Sequence, residues 1–101
     1  MRYGSKVDRN QTEIVAALRA VGASVQHLHN VAGGCPDIAV GYKGKTYMME
    51  IKDGSLPPSG QKLTPAQEVW HRDWQGHAAI VNSPEAALAV IGVIAIVGDI
   101  G

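Results

Sequence analysis

The sequence has little of what marks several large classes of protein. Its 101 residues include one cysteine, which excludes an internal disulfide and fits the reducing cytoplasm. The longest apolar run, residues 86–97, is about 12 residues long and contains Gly92, whereas a membrane-spanning helix needs about 20. Residues 4–12 are polar and do not form a secretory signal. These absences predict a cytoplasmic protein without a membrane segment.

The chain also has no net charge, since nine Lys and Arg residues balance nine Asp and Glu residues. The whole chain therefore lacks the basic balance common in domains that bind nucleic acids. A bound metal adds positive charge where carboxylates subtract it, so net charge understates the field at such a site. No repeat or long linker divides the chain. Its length predicts a single domain over residues 1–101 with one modest core.

Residues 34–53 carry the strongest pattern in the chain. Two segments, 37–42 and 45–52, are rich in β-branched and apolar residues that alternate with polar ones, which indicates β-strands. Lys43 and Gly44 between them are typical of a tight hairpin turn. The pattern therefore predicts two antiparallel strands joined by a two-residue loop.

That loop places Asp37 directly opposite Glu50, with Cβ atoms about 5 Å apart. Lys52 points to the same face because strand side chains alternate with period 2. The opposite face receives the apolar side chains Ile38, Val40, Tyr47, Met49 and Ile51. A longer loop with a bulge at Gly44 would shift the pairing and make the two carboxylates diagonal neighbours.

Two facing carboxylates repel each other, so a fold that keeps them needs a compensating cation. Mg²⁺ is the natural candidate, because it prefers oxygen ligands and is held by one or two carboxylates, waters and substrate phosphates. The alternative is structural. Asp37 would cap the loop after Pro36, and Glu50 and Lys52 would be solvated residues of an edge strand.

Pro36 and Asp37, followed by Glu-Ile-Lys at 50–52, resemble the signature of the PD-(D/E)XK nucleases. The sequence Leu-Thr-Pro-Ala-Gln at 63–67 then makes the chain similar to the virus-type replication-repair nuclease (VRR-NUC) family over about residues 13–83. The resemblance implies an α/β fold, a small mixed β-sheet flanked by helices with a restriction-endonuclease-like core.

The resemblance also implies a metal-dependent endonuclease that hydrolyses DNA phosphodiester bonds. Asp37, Glu50 and the carbonyl of Ile51 would hold Mg²⁺ or Mn²⁺, and Lys52 would orient the attacking water and help to deprotonate it. Relatives that stand alone act on branched, flapped or Holliday-junction DNA in phage or bacterial replication and repair, and they are dimeric. The expected location is the cytoplasm of a bacterium or a phage-infected cell.

Two further site residues have structural alternatives. By resemblance, an acidic residue of the first helix reaches the metal, which is Glu13 here; the alternative is an ordinary surface glutamate. Gln67 would orient water or phosphate near the metal. However, Thr64 and Pro65 before it predict a capping box that Gln67 completes. One amide is not expected to serve both roles fully.

His27, His29 and Cys35 suggest a zinc site, although their spacing matches no recognised zinc pattern. The two histidines would otherwise line the active-site cleft, contact phosphate or be partly buried polar residues of a strand. His71 and Arg72 are expected to face solvent or DNA.

Trp70 and Trp74, one helical turn apart, are expected to pack in the core rather than to stack on bases. Lys62, in the polar loop before them, is a candidate contact for backbone phosphate.

The predicted order of elements is helix, strand, hairpin, helix, strand, helix. The elements are a helix over 9–21 between an N-cap at Asp8 and a stop at Gly22, a strand over 23–29, the hairpin, a helix opened by Thr64, a buried strand over 78–82 and a helix opened by Ser83.

Residues 86–97 have no polar face, which predicts that they help to form a homodimer. The alternative is that they close the monomer's own core. Two other functions stay open. One is a nucleic-acid-binding module that has lost catalysis, against which the intact Asp37, Glu50 and Lys52 argue. The other is an interaction domain stabilised by zinc.

Overall fold

The computed structural model describes residues 5–93, with side chains from residue 9 onward. A short 3₁₀ turn over Pro58–Gln61 interrupts the polar loop before the second helix. The observed order of helices and strands is the predicted one. The elements are α1 (Ser5–Ala20), β1 (Ser24–His27), β2 (Ile38–Tyr42), β3 (Lys45–Ile51), α2 (Pro65–Asp73), β4 (His77–Val81) and α3 (Pro84–Val90).

The four strands form one mixed sheet in the order β1-β2-β3-β4. The β1–β2 and β2–β3 pairs are antiparallel, whereas β3 and β4 run parallel and are joined through α2. Lys43 and Gly44 have φ angles of 51° and 82°, the left-handed conformation that a two-residue type I′ turn requires. Ile38 pairs with Met49. The predicted register is confirmed, and the bulged alternative is wrong.

The apolar core lies between one face of the sheet and the helices α1 and α3. The face predicted to be apolar supplies Ile38, Val40 and Met49, each with no exposed surface. The residues buried in this core are Ile14, Val15, Leu18, Ala23, Ile38, Val40, Met49, Ile51, Val81, Ala87 and Ile91. None of the helices in residues 5–93 is long and apolar enough to cross a membrane.

The C-terminal apolar segment closes this core as far as it is described. Ala87 and Ile91 are buried, and Leu88, Val90 and Val93 pack against the core. For residues 86–93 the structure therefore matches the alternative of core closure within the monomer. Residues 94–97 of the predicted dimer segment lie outside the described part of the chain.

The start of α1 differs from the predicted one. α1 begins at Ser5, so Asp8 lies within the helix and is not its N-cap. Residues 5–8 contain neither glycine nor proline, so nothing in them ends the helix earlier. Gly22 is confirmed as the stop: its φ is 95°, and the Ala23 N–H donates to the Leu18 carbonyl at 3.1 Å, which closes the last turn.

β4 was predicted to be buried, and this is wrong for most of its length. Among its residues only Val81 is buried. The reason is its place at the edge of the described sheet, where it has β3 on one side and no strand on the other.

Candidate active site

The two carboxylates meet where β2 begins and β3 ends. Asp37 directly precedes β2, after the buried Pro36, and its backbone carbonyl accepts a hydrogen bond from Leu28 at 2.9 Å. Its side chain turns toward β3, where Oδ2 accepts the backbone N–H of Ile51 at 2.7 Å. This bond fixes the Asp37 carboxylate beside Glu50, the neighbour of Ile51 on β3.

Glu50 is the buried charged residue of the described chain, with 4% of its surface exposed. Its pKa is raised from 4.5 to about 7, first by burial and then by the negative charge of Asp37, against the opposing effect of Lys52. Its Oε1 atom is buried and has no hydrogen-bond partner in the described chain. The alternative of solvated residues on an edge strand is wrong, because β3 is flanked by β2 and β4.

Lys52 and Gln67 complete a continuous polar cluster with Glu50. Lys52 Nζ donates to Gln67 Oε1 at 3.0 Å and lies 3.5 Å from Glu50 Oε2. Gln67 Nε2 donates to the same Glu50 oxygen at 2.9 Å. The helix α2 therefore presents its first turn to the polar face of the sheet, opposite the core. The structure brings together four of the predicted site residues: Asp37, Glu50, Lys52 and Gln67.

Gln67 also closes the capping box of α2. Its Oε1 accepts the Thr64 N–H at 2.9 Å, and its own N–H donates to Thr64 Oγ1 at 3.2 Å. The same amide both caps α2 and contacts the two charged groups, whereas its role toward water or phosphate stays a prediction. A carbonyl oxygen has two lone pairs, so Oε1 accepts from Thr64 and Lys52 together while Nε2 remains for Glu50. The cap thus orients an amide that in turn holds both charged groups.

Glu13 lies on the exposed surface of α1 and not in this cluster. It lines a shallow depression together with Asn10 and Asp53. Asn10 donates to the Lys52 carbonyl at 2.8 Å, which ties α1 to the end of β3. In the described chain no group of three His, Cys, Asp or Glu side chains is placed to hold a metal. Glu13 therefore does not add a third carboxylate to the pair.

The zinc hypothesis is wrong, because its three candidate ligands lie on opposite faces of the sheet. His27 pairs with Ile38, so it points to the core side, where its Nδ1 lies 3.2 Å from Gln11 Nε2. His29 lines the same groove beside α1, and the two rings are 6.3 Å apart. Neither histidine lines the polar cluster. Cys35 lies on the cluster side.

Cys35 is a neighbour of the site that the sequence did not assign to it. Burial raises the pKa of its thiol, and the charges of Glu50 and then Asp37 raise it further. The thiol therefore stays protonated, and Cys35 borders the site as a small uncharged side chain. Its position two residues before Asp37 was the available signal.

His71 is a second residue that the sequence did not assign to the site. It is half-buried, its pKa is lowered by burial and then by the charge of Lys52, and its Nε2 is buried without a partner in the described chain. The prediction that it faces solvent is wrong for Nε2, and the prediction that it faces DNA stays a prediction. It follows Gln67 by four residues, so the two share one face of α2. Arg72 is exposed, as predicted, and pairs with Asp73 at 2.9 Å.

The tryptophans lie outside the core, which contradicts the predicted core packing. Trp70 and Trp74 stack on each other with ring centroids 4.6 Å apart and planes at 16°. α2 has no buried residue, and Trp74 is 43% exposed. The reason is that α2 lies on the polar side of the sheet, where Gln67 meets Glu50 and Lys52, so its apolar side chains have no apolar layer to enter.

The comparisons with known proteins agree with this architecture. No protein-family model matches the chain, and a search of curated proteins found no match. A solved structure described as a "VRR_NUC domain" is similar, with a TM-score of 0.61 and 24% sequence identity over 85% of this chain and 94% of that chain. A similarity at this identity establishes a shared fold. The chain therefore has the fold of that domain, a small mixed four-stranded sheet with helices.

Proposed function

We propose that the protein is a metal-dependent deoxyribonuclease that hydrolyses phosphodiester bonds at the Glu50 cluster, by which we mean Asp37, Glu50, Lys52 and Gln67. One observation carries the proposal: a buried carboxylate with an unpartnered oxygen lies beside a second carboxylate and 3.5 Å from a lysine ammonium. Burying a charged group in this way lowers the free energy of unfolding. Perturbed carboxylates of this kind cluster at functional sites. The shared fold with a VRR_NUC domain supports the same conclusion.

The residues present fit a hard divalent cation. Glu50 Oε1 has no hydrogen-bond partner within residues 5–93, and the charge of Asp37 works against ionisation of Glu50, so a cation would stabilise both carboxylates. Asp37 and Glu50 would hold Mg²⁺ or Mn²⁺, with the carbonyl of Ile51 as the third protein oxygen that the resemblance implies. When bound, the cation would offset the negative charge that grows on the phosphate.

Lys52 would position the attacking water and contribute a proton-transfer group at Nζ. Gln67 Oε1 holds this ammonium at 3.0 Å, and the Thr64 N–H holds the amide in turn. The water oxygen would attack phosphorus in line with the bond that breaks, which leaves one phosphate end and one hydroxyl end. The ammonium also lies where it can meet charge as it develops on a phosphate oxygen.

The substrate would be DNA, and the resemblance favours branched, flapped or four-way-junction DNA cleaved by a homodimer. Two active sites in fixed relation would suit paired cuts across a branch point. The alternative is a nucleic-acid-binding module of the same fold without catalysis. The intact cluster of Asp37, Glu50 and Lys52 favours the nuclease.

A cleavage assay on four DNA forms tests this proposal. Single-stranded, duplex, flapped and four-way-junction DNA of matched sequence are each incubated with purified protein and Mg²⁺, with Mn²⁺, or with EDTA. The proposal expects cuts that require the metal and that favour at least one branched form. A folded protein that binds these DNAs but cuts none with either metal would instead support the binding module.

A further inference from the structure

A stacked pair of aromatic rings lies at the end of α2, where Trp70 is half-buried and Trp74, the C-cap residue, is exposed. Trp70 and Trp74 stack at 4.6 Å with their planes at 16°, and neither belongs to the apolar core. Trp74 leaves 43% of its surface exposed, although it is among the largest apolar side chains of the domain. Exposed aromatic surface of this kind marks contact with a partner. We refer to Trp70 and Trp74 together as the tryptophan shelf.

The shelf adjoins the candidate active site. Trp70 follows Gln67 by three residues on α2, so their side chains lie on neighbouring parts of the helix surface. The indole of Trp74 lies against Gly76, where an added Cβ would come within 2.9 Å of its Nε1. Gly76 directly precedes β4, the strand next to the one that carries Glu50. The Trp70 end of the shelf therefore adjoins the cluster, whereas Trp74 lies farther along, beside the start of β4, where His77 pairs with Tyr47.

The flat indole rings of the shelf favour contact with the bases of a DNA molecule. A nucleobase offers a flat face that stacks on tryptophan, and one such contact strengthens binding roughly 5- to 150-fold. In a closed duplex both faces of each base are covered by neighbouring bases. Only unpaired bases can therefore reach an exposed indole without first being unstacked.

We propose that the tryptophan shelf stacks on unpaired bases of a DNA strand whose backbone passes the Glu50 cluster. This inference rests on the proposed nuclease function, and it names the residues that would make the enzyme prefer some DNA forms over others. A strand with unpaired bases gains the stacking contact, whereas a closed duplex has only its phosphates to offer. The shelf thus favours flapped, frayed or single-stranded DNA at the site.

Intrinsic fluorescence reports on the shelf directly, because Trp70 and Trp74 are the two tryptophans of the chain. The full chain is titrated in EDTA, so that no cleavage occurs, with a thymidine strand of about 12 nucleotides. A strand of equal length without bases carries the same phosphates, and a closed hairpin duplex carries paired bases. We expect saturable quenching by the thymidine strand and at least about 10-fold weaker binding of the other two.

Variants separate stacking from a general effect on binding. Trp74→Ala should weaken binding of the thymidine strand about 10-fold, measured with a dye-labelled strand, and Trp74→Phe should keep most of the affinity because it keeps a flat ring. Val69→Ala is the matched control, since Val69 is an equally exposed apolar residue of α2, at 47%, outside the stack. Its affinity should stay within about twofold of that of the unchanged protein. Circular dichroism confirms that each variant is folded.

Equal binding of the baseless strand, or unchanged affinity in folded Trp74→Ala, would overturn the shelf. A third result would also overturn it: DNA does not quench the fluorescence of the unchanged protein, and light scattering shows that Trp74→Ala has lost a dimer. The shelf would then be a contact between two copies of the chain. Failure of the nuclease proposal looks different. Quenching specific for unpaired bases, without cleavage of any DNA in Mg²⁺, would keep the shelf and remove the catalysis.

Discussion

Replacing Glu50 by glutamine should make the metal-free protein more stable above neutral pH. The two side chains have nearly the same volume, so the packing around β3 is retained. The variant removes a charge that the fold buries beside Asp37, and its amide can still accept the hydrogen bond of Gln67 Nε2. A substitution in a candidate active site that stabilises the fold is the expected mark of a functional charge.

The size of the effect follows from the pKa of Glu50. A pKa that rises from 4.5 to about 7 on folding means that ionised Glu50 costs the folded chain up to about 3 kcal/mol. The folded state binds more protons than the unfolded state between pH 4.5 and 7, so the free energy of unfolding falls as pH rises through this window. The attraction between Glu50 and Lys52 is already contained in this pKa, but in Glu50→Gln the hydrogen bond from Gln67 Nε2 at 2.9 Å loses its charged acceptor, which reduces the gain by about 1 kcal/mol. The net gain expected at pH 8 is about 1–2 kcal/mol.

Thermal unfolding in EDTA at pH 5, 6, 7 and 8 measures this gain. Glu50→Gln should melt about 5–10 °C above the unchanged protein at pH 8, and the difference should shrink toward pH 5. Mg²⁺ at ten times its Kd should stabilise the unchanged protein by about 1.4 kcal/mol and the variant by much less. Glu68→Gln, an exposed residue in the first turn of α2, is the control and should cost about 0.5 kcal/mol at any of these pH values. A variant less stable than the unchanged protein at pH 8, or a difference independent of pH, would refute the reasoning.

Three further predictions address the neighbours of Glu50 and the C-terminal segment. Lys52→Ala should lower the cleavage rate at least about 100-fold but leave Mg²⁺ binding by calorimetry nearly unchanged, and normal cleavage would make Lys52 a bystander. Gln67→Ala and Thr64→Ala should each lose about 1 kcal/mol of stability with the capping box, but only Gln67→Ala should slow cleavage; equal rates would reduce Gln67 to a cap. The homodimer should appear in light scattering at micromolar concentration; a mass near 10.7 kDa for the unchanged protein at all concentrations would contradict it.

The hairpin and its carboxylates could be predicted because the determinants are local. Lys43 and Gly44 specify a turn type, that turn fixes the register, and strand alternation assigns Asp37 and Glu50 to one face. Each step involves neighbours in sequence or directly opposed residues. The core face followed from the same alternation, and the buried side chains of β2 and β3 are the predicted ones.

The contacts of α2 could not be predicted, because helical spacing does not say what a helix packs against. An i, i+4 pair of tryptophans normally indicates an apolar interface, but α2 lies on the polar face of the sheet, so Trp70 and Trp74 stay outside the core and His71 turns inward. Gln67 can both cap α2 and contact Lys52 because α2 lies close enough to Lys52 in the folded chain. No pattern in the sequence indicates that distance.

Cleavage of a flapped DNA by the unchanged protein and by Glu50→Gln, side by side in Mg²⁺, tests the central claim most directly. Both proteins are first shown to be folded by circular dichroism, and Glu68→Gln accompanies them as the control for loss of a glutamate charge. We predict cleavage by the unchanged protein and by Glu68→Gln, none in EDTA, and a rate at least about 100-fold lower for Glu50→Gln, since one metal ligand and its charge are gone. Cleavage by folded Glu50→Gln at the rate of the unchanged protein would contradict the assignment of the active site.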